Sequence, residues 1–152
     1  IDLAVGCVFA DGGAPATRVE LLRSTDHAAS WSSVGTLVRA ADADCFAGAT
    51  GLNGANLFLS AGVEYLSVTP DDASGAYAGC LVFEVSDPEA GRVARDANGA
   101  AVPTRVIRPS APQFSGACAF DGALGGYALD VGFLEPSIAR KFRILRPGVA
   151  TP

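Results

Sequence analysis

Carboxylate side chains in polar turns are the residues of this chain best suited to acid–base chemistry. Glycoside hydrolysis needs two carboxyl groups that face one cleft. The adjacent Asp71 and Asp72 can also supply oxygen ligands to calcium, although no EF-hand spacing surrounds them. Solvated turn acids are the default interpretation, so no catalytic residue is assigned. The candidate acids are Asp42, Asp44, Asp71, Asp72, Asp87, Glu89, Asp121, Asp130 and Glu135.

The other chemically versatile residue types are scarce. His27 is the single histidine, and it lies in a polar turn, which argues against a Ser-His-Asp triad. The cysteines are Cys7, Cys45, Cys80 and Cys118, all in apolar strand patterns and too far apart for a CxxC-type metal site. They allow three disulfide connectivities, or they are small buried apolar side chains. The sequence therefore predicts no metal site and no cofactor.

The polar turn that contains His27 has an informative pattern. Ser24-Thr25-Asp26-His27-Ala28-Ala29-Ser30-Trp31 separates two alternating runs, which is a β-hairpin signal. The Ser24 hydroxyl and the Asp26 carboxylate can accept backbone N–H bonds within the turn. Trp31 can then fold back over the hairpin and bury apolar area.

This spacing resembles the Asp-box, the S-x-D-x-G-x-x-W turn of sialidase-like β-propellers. Ser24, Asp26 and Trp31 match it, whereas Ala28 stands where the family has Gly, a position that implies φ > 0. The resemblance implies a structural rather than catalytic role for the turn. It also implies arginines that grip a substrate carboxylate. Arg105 and Arg108 are the candidate ligand-binding residues, because a guanidinium binds a carboxylate bidentately.

Composition favours a turn-rich β protein. The chain has 152 residues, is 49% hydrophobic and 18% charged, and contains 18 Gly and 9 Pro. A net charge of −5 without a Lys/Arg cluster argues against nucleic acid as a partner, and no apolar run is long enough to span a membrane. Ile1 is expected to be a processed terminus or the edge of a larger chain.

Short alternating strands predict an all-β fold, with turns at 52–55 and 69–77. We expect antiparallel four-stranded blades of a sialidase-like propeller: a partial blade over 1–38, a blade over 39–87, a long connection over 88–112 and an incomplete blade over 113–148. Propellers need about 4–8 blades, so further blades from the same or another chain would be required. The alternative is a self-contained β-sandwich.

These features predict a secreted scaffold, extracellular or periplasmic, that recognises a glycan or a protein and holds no complete catalytic site. The alternative is the C-terminal part of an exo-acting, sialidase-like glycoside hydrolase whose acid and arginines lie mostly outside this chain. Whether the chain is part of an enzyme stays open at this point.

Overall fold

The computed structural model describes residues 1–7, 16–46, 48–72, 78–108, 114–117, 128–133 and 140–145, with side chains in 1–2, 16–46, 48–72 and 78–108. These residues form three antiparallel sheets, as the sequence predicts for an all-β chain. The first contains β1 (Asp2–Cys7), β2 (Arg18–Arg23) and β3 (Ser32–Arg39), followed by a 3-10 helix (Ala40–Ala43). The central sheet contains β4 (Ala49–Ser60), β5 (Val63–Asp72), β6 (Cys80–Glu84) and β7 (Pro103–Ile107). The third contains β8 (Phe114–Ala117), β9 (Ala128–Phe133) and β10 (Arg140–Leu145).

Strands in all three sheets follow one another in sequence order, and each pairs with the next. In the first sheet β2 lies between β1 and β3, with Val19 opposite Val38. In the central sheet β5 pairs with β4 on one side and with β6 on the other. Simple meanders of this kind need only short connections, and the described sheets are open at their edges.

The first and central sheets share one hydrophobic core, which we call the first core. Alternation along each strand directs every second side chain into it. Leu21 from β2, Leu37 from β3, Leu66 from β5 and Phe83 from β6 are each at most 1% exposed. The first sheet and the central sheet are therefore packed layers of one structure.

The opposite face of the central sheet is also buried. Phe58, Tyr65, Cys80 and Val82 form a second core, with Ile107 packed against it. Phe58 and Tyr65 are directly paired across β4 and β5, and their rings stack with centroids 5.6 Å apart. The third sheet lies near the central sheet, since Cα atoms of β8 come within 8 Å of Cα atoms of β5.

Two predicted turns are wrong. Residues 52–55 lie inside β4, where a β-bulge at Gly54 (φ +57°) shifts the register between Asn53 and Asn56. Residues 69–72 continue β5 to Asp72, and the rest of the predicted turn, 73–77, lies outside the described residues. Pro70 is tolerated there because it lies beyond Val68, the last residue that pairs with β6.

The segment predicted as a long connection contains a strand, as its strand-like run at 104–108 indicates. Strand β7 lies within 88–112 and pairs with β6, so the four-stranded sheet extends beyond residue 87. The segment 85–102 packs into the first core through Val93, which is 2% exposed. Its backbone approaches β3 so closely that a Cβ on Gly35 would lie 2.7 Å from the Ala90 carbonyl oxygen.

Candidate functional site

The turn at residues 24–31, between β2 and β3, is organised by Ser24. This serine is only 3% exposed. Its Oγ accepts a hydrogen bond from the Ala28 N–H at 2.8 Å and donates one to Asp26 Oδ1 at 2.8 Å. The first residue of the pattern thus holds the turn from within, in the structural role that the sequence predicts.

Asp26 closes the other half of the turn. Its Oδ1 accepts a hydrogen bond from the Ser30 N–H at 2.9 Å, and its Oδ2 accepts one from the Ser30 hydroxyl at 2.5 Å. Together with the Ser24 hydroxyl, these donors lower the pKa of Asp26 to about 2, the Ser30 hydroxyl contributing most. A carboxylate held ionised in this way is suited to fixing backbone rather than to proton transfer.

The backbone of the turn adopts the left-handed conformation at two non-glycine residues. His27 has φ +58° and Ala28 has φ +69°. The positive φ that the pattern predicts at Ala28 is therefore confirmed, although an alanine occupies the position. His27 is exposed, and none of the hydrogen bonds or ion pairs among the described residues joins its side chain to a carboxylate.

The outer surface of the turn combines an indole with hydroxyl groups. Trp31 is 39% exposed and belongs to neither core. The hydroxyl of Ser32 donates to the Arg23 carbonyl at 3.3 Å, and that of Ser33 donates to Glu20 Oε2 at 3.1 Å. The turn thus presents a partly open aromatic ring beside polar groups that are already held in place.

Arg23, which the sequence analysis does not single out, anchors the turn to its surroundings. Its Nε and Nη2 donate to the two carboxylate oxygens of Asp2, each at 2.8 Å. Nη1 donates to Glu89 at 2.6 Å and Nη2 to the Pro88 carbonyl at 3.1 Å. The arginine lowers the pKa of Asp2, and the two carboxylates raise the pKa of Arg23. Its role is recognisable only once β1 and the 85–102 segment are brought together.

The two arginines predicted to bind a ligand do not share a site. Arg108 donates to the Cys45 carbonyl at 2.7 Å, and its guanidinium lies 4.7 Å from the centroid of the Phe46 ring, at the edge of the first core. Arg105 lies directly opposite Val82, a residue of the second core. The described contacts give Arg108 a structural role, and ligand binding by either arginine stays a prediction.

Asp71 differs from every other described carboxylate. It is 2% exposed, and its Oδ2 accepts a hydrogen bond from Asn53 Nδ2 at 2.7 Å. Oδ1 is buried without a hydrogen-bond partner among the described residues. Burial raises the pKa of Asp71, and nearby Asp72 raises it further, while the Asn53 bond opposes the shift. The alternation of 65, 67, 69 and 71 predicts this burial once β5 is extended past Val68.

The remaining candidate acids bind backbone N–H groups, are exposed, or lie outside the described side chains. Asp42 accepts the Arg39 N–H at 2.8 Å and lies 3.5 Å from Arg95, whereas Asp87 accepts the Ala90 N–H at 3.0 Å. Asp44 is exposed. The side chains of Asp121, Asp130 and Glu135 are not among those described. Within the described part of the chain, no group of three or more His, Cys, Asp or Glu residues is arranged to hold a metal.

Among the described side chains, that of Cys80 in β6 is disulfide-bonded, and its partner lies outside the residues whose side chains are described. Cys45 is a free thiol, and burial raises its pKa. The side chains of Cys7 and Cys118 lie outside the described set. The sequence alone leaves the pairing open, and the structure shows that Cys80 takes part.

Comparison of the chain with family models, with curated proteins and with solved structures finds no match. Among the described residues, no helix has the length and apolar character needed to cross a membrane.

Proposed function

We propose that this chain is a non-catalytic recognition scaffold that binds a glycan or a protein through the turn at residues 24–31. The observation that carries the proposal is how the turn uses its polar atoms. Ser24 and Asp26 are occupied by hydrogen bonds within the turn, whereas Trp31 is 39% exposed. An exposed indole on a rigid hairpin is suited to stacking on the apolar face of a sugar ring.

The proposed architecture is a stack of blades similar to those of sialidase-like propellers. In a two-sheet sandwich each sheet buries one face and leaves the other to solvent. The central sheet instead has Phe83 in the first core and Val82 in the second, both at most 1% exposed. Burial on both faces supports stacked sheets, and open sheet edges support a need for further blades.

We further propose an extracellular or periplasmic location. Disulfides persist in oxidising compartments and are rare in the cytosol of most organisms. The disulfide at Cys80 supports this assignment.

The alternative function, part of an exo-acting glycoside hydrolase, needs a general acid with a raised pKa beside a second carboxylate. Asp71 and Glu64 both have raised pKa values. Asp71 is 2% exposed and thus closed to a substrate, and Asp2, the carboxylate that acts on Glu64, is held by Arg23 through both of its oxygens. The scaffold is therefore the preferred proposal.

Binding is tested through the fluorescence of Trp31, which is the single tryptophan of the chain. The full chain is titrated with neutral and sialylated oligosaccharides, and binding is also measured on a glycan array. We expect a saturable emission change with at least one sugar and loss of array binding in Trp31→Ala. Val102→Ala, at an apolar residue 44% exposed elsewhere on the surface, is the matched control.

Two outcomes would overturn the proposal. Array binding that is unchanged in Trp31→Ala would remove the turn from the interface. Hydrolysis of a glycoside by the purified chain would show that it is an enzyme. The architecture is tested separately, because a monomeric chain with a sharp unfolding transition in circular dichroism would favour the self-contained sandwich.

A further inference from the structure

A stripe of buried polar side chains crosses the second face of the central sheet. Ser67, Thr69 and Asp71 alternate along β5 on the same face as Tyr65, and each is at most 2% exposed. Asn53 lies opposite Thr69 on the neighbouring strand β4. Three of the four buried polar residues in the described part of the chain therefore form one row, where a sheet face packed only for stability would be apolar.

The polar atoms of this stripe differ in whether they have hydrogen-bond partners. The Ser67 hydroxyl donates to the Asn56 carbonyl at 3.5 Å. Asp71 Oδ2 accepts the Asn53 amide at 2.7 Å, but Oδ1 has no hydrogen-bond partner among the described atoms. A buried carboxylate oxygen without a partner carries a large desolvation penalty, and the charge on neighbouring Asp72 adds to it. Something must compensate Oδ1.

A proton or a cation can remove this charge. A proton on Oδ1 turns the oxygen into an O–H donor, which then needs an acceptor of its own. A cation neutralises the charge and coordinates the oxygen directly. Two oxygens that share one Ca²⁺ at ~2.4 Å each lie roughly 3–5 Å apart, so the ligands of a cation need not be hydrogen-bond neighbours.

The bulge in β4 brings the backbone close to the stripe. A Cβ on Gly54 would lie 3.3 Å from Thr69 Oγ1, so a side chain at this position would press on the threonine hydroxyl. Asn53, the hydrogen-bond partner of Asp71, is itself exposed to solvent. Carboxylate, amide and hydroxyl oxygens are the ligand types that calcium prefers.

We infer that Asp71 Oδ1, together with the side-chain oxygens of Asn53 and Thr69, which lie opposite each other on β4 and β5, forms a binding site for a hard cation of the Ca²⁺ type on the second face of the central sheet. The site is separate from the turn at residues 24–31 and does not depend on the proposed recognition function. It would tie β4 to β5 at the bulge and thereby stabilise the sheet.

Thermal unfolding of the full chain tests this inference. We expect millimolar CaCl₂ to raise the midpoint by several degrees relative to EGTA, since a ligand that binds only the folded state stabilises it. MgCl₂ at equal ionic strength should have a smaller effect, because Mg²⁺ demands a stricter octahedral geometry. Asp71→Asn should abolish the calcium response, whereas the exposed-site control Asp44→Asn should retain it.

Calorimetric titration of the wild-type chain keeps the test decisive if Asp71→Asn does not fold. One bound Ca²⁺ per chain, competed by EGTA, is the expected result. The inference fails if calcium neither binds nor shifts the midpoint of the wild-type chain. It also fails if folded Asp71→Asn responds to calcium like the wild type.

Discussion

Asp26 and Asp71 show how the same side chain is used in opposite ways in two parts of this molecule. Asp26 lies in an exposed turn, yet it accepts three hydrogen bonds from Ser24 and Ser30. Asp71 lies on a buried sheet face, yet among the described residues it accepts a single hydrogen bond, from Asn53. The pKa of Asp26 is lowered and that of Asp71 is raised. Hydrogen bonding therefore governs the first carboxyl group and desolvation the second.

This contrast shows which interactions stabilise each region. The turn is held by polar contacts among neighbours in sequence, whereas the central sheet is held by apolar burial on both faces. Local polar contacts are individually modest, because each replaces hydrogen bonds that the same groups make to water in the unfolded chain. Burial of large side chains contributes more. Substitutions in the two regions should differ accordingly.

The largest effect on stability is expected for Phe83, an aromatic residue of the central sheet. Phe83 is 1% exposed within the first core, so Phe83→Ala should lower the free energy of unfolding by ~3–5 kcal/mol. Trp31→Ala, at the exposed turn, should cost about 1 kcal/mol. Urea denaturation of both variants measures the difference. Equal losses in the free energy of unfolding would mean that Trp31 is packed as tightly as Phe83, and would contradict the contrast between the turn and the central sheet.

A second prediction concerns residues 85–102, the segment between β6 and β7 whose backbone packs against β3. A Cβ on Gly91 would lie 2.9 Å from the Gly35 nitrogen, and Gly91 also has φ +61°. Gly99 has φ +83° with open space around it. Both alanine variants carry the left-handed backbone penalty, but only Gly91→Ala adds a clash. We expect Gly91→Ala to be less stable than Gly99→Ala by ~1–3 kcal/mol in urea denaturation, and equal stabilities would contradict the close approach.

The third prediction uses pH to separate the two carboxyl groups. The folded-state pKa of Asp26 is about 2, against an ordinary value of 3.8, so its contribution is complete above 3.8 and is lost as pH falls towards 2. The pKa of Asp71 is raised, so its folded state holds the proton more tightly, and stability falls as pH rises from 3.8 through the raised value.

Unfolding measured in EGTA across this pH range distinguishes the two signs. The stability advantage of the wild type over Asp26→Asn should shrink on acidification. Its advantage over Asp71→Asn should grow on acidification. A response of the same sign in both variants would show that one of the two environments is misassigned.

The sequence predicts the turn better than the sheet, and the reason is physical. Ser24, Asp26 and Ser30 interact within seven residues, so their types and spacing determine the geometry. The 69–72 segment contains Thr, Pro and Asp, whose local preference is for turns. Pairing with β4, made by residues distant in sequence, overrides that preference. Gly54 is a second example, because its local preference is for a turn, whereas pairing with β5 makes it part of a β-bulge.

The candidate site follows the same rule. The roles of Ser24 and Asp26 could be predicted from sequence, and so could the positive φ at Ala28. Arg23 could not, because its partners Asp2 and Glu89 are brought together only by the fold. Nor could the buried, unpartnered oxygen of Asp71 be predicted, since its burial depends on the pairing of β5 with β4.

The smallest predicted effect bears on the backbone of the turn. Ala28 has φ +69°, a conformation that costs an L-residue roughly 1–2 kcal/mol relative to glycine. Ala28→Gly removes this strain but increases the entropy of the unfolded chain by ~0.4–1 kcal/mol. We expect a net stabilisation of about 0.5 kcal/mol in urea denaturation. Ala29→Gly, a neighbour without positive φ, should instead destabilise the chain. Destabilisation by both substitutions would mean that the hydrogen bonds of Ser24 and Asp26 already absorb the strain at Ala28, so that the turn gains nothing from the glycine that its sequence pattern calls for.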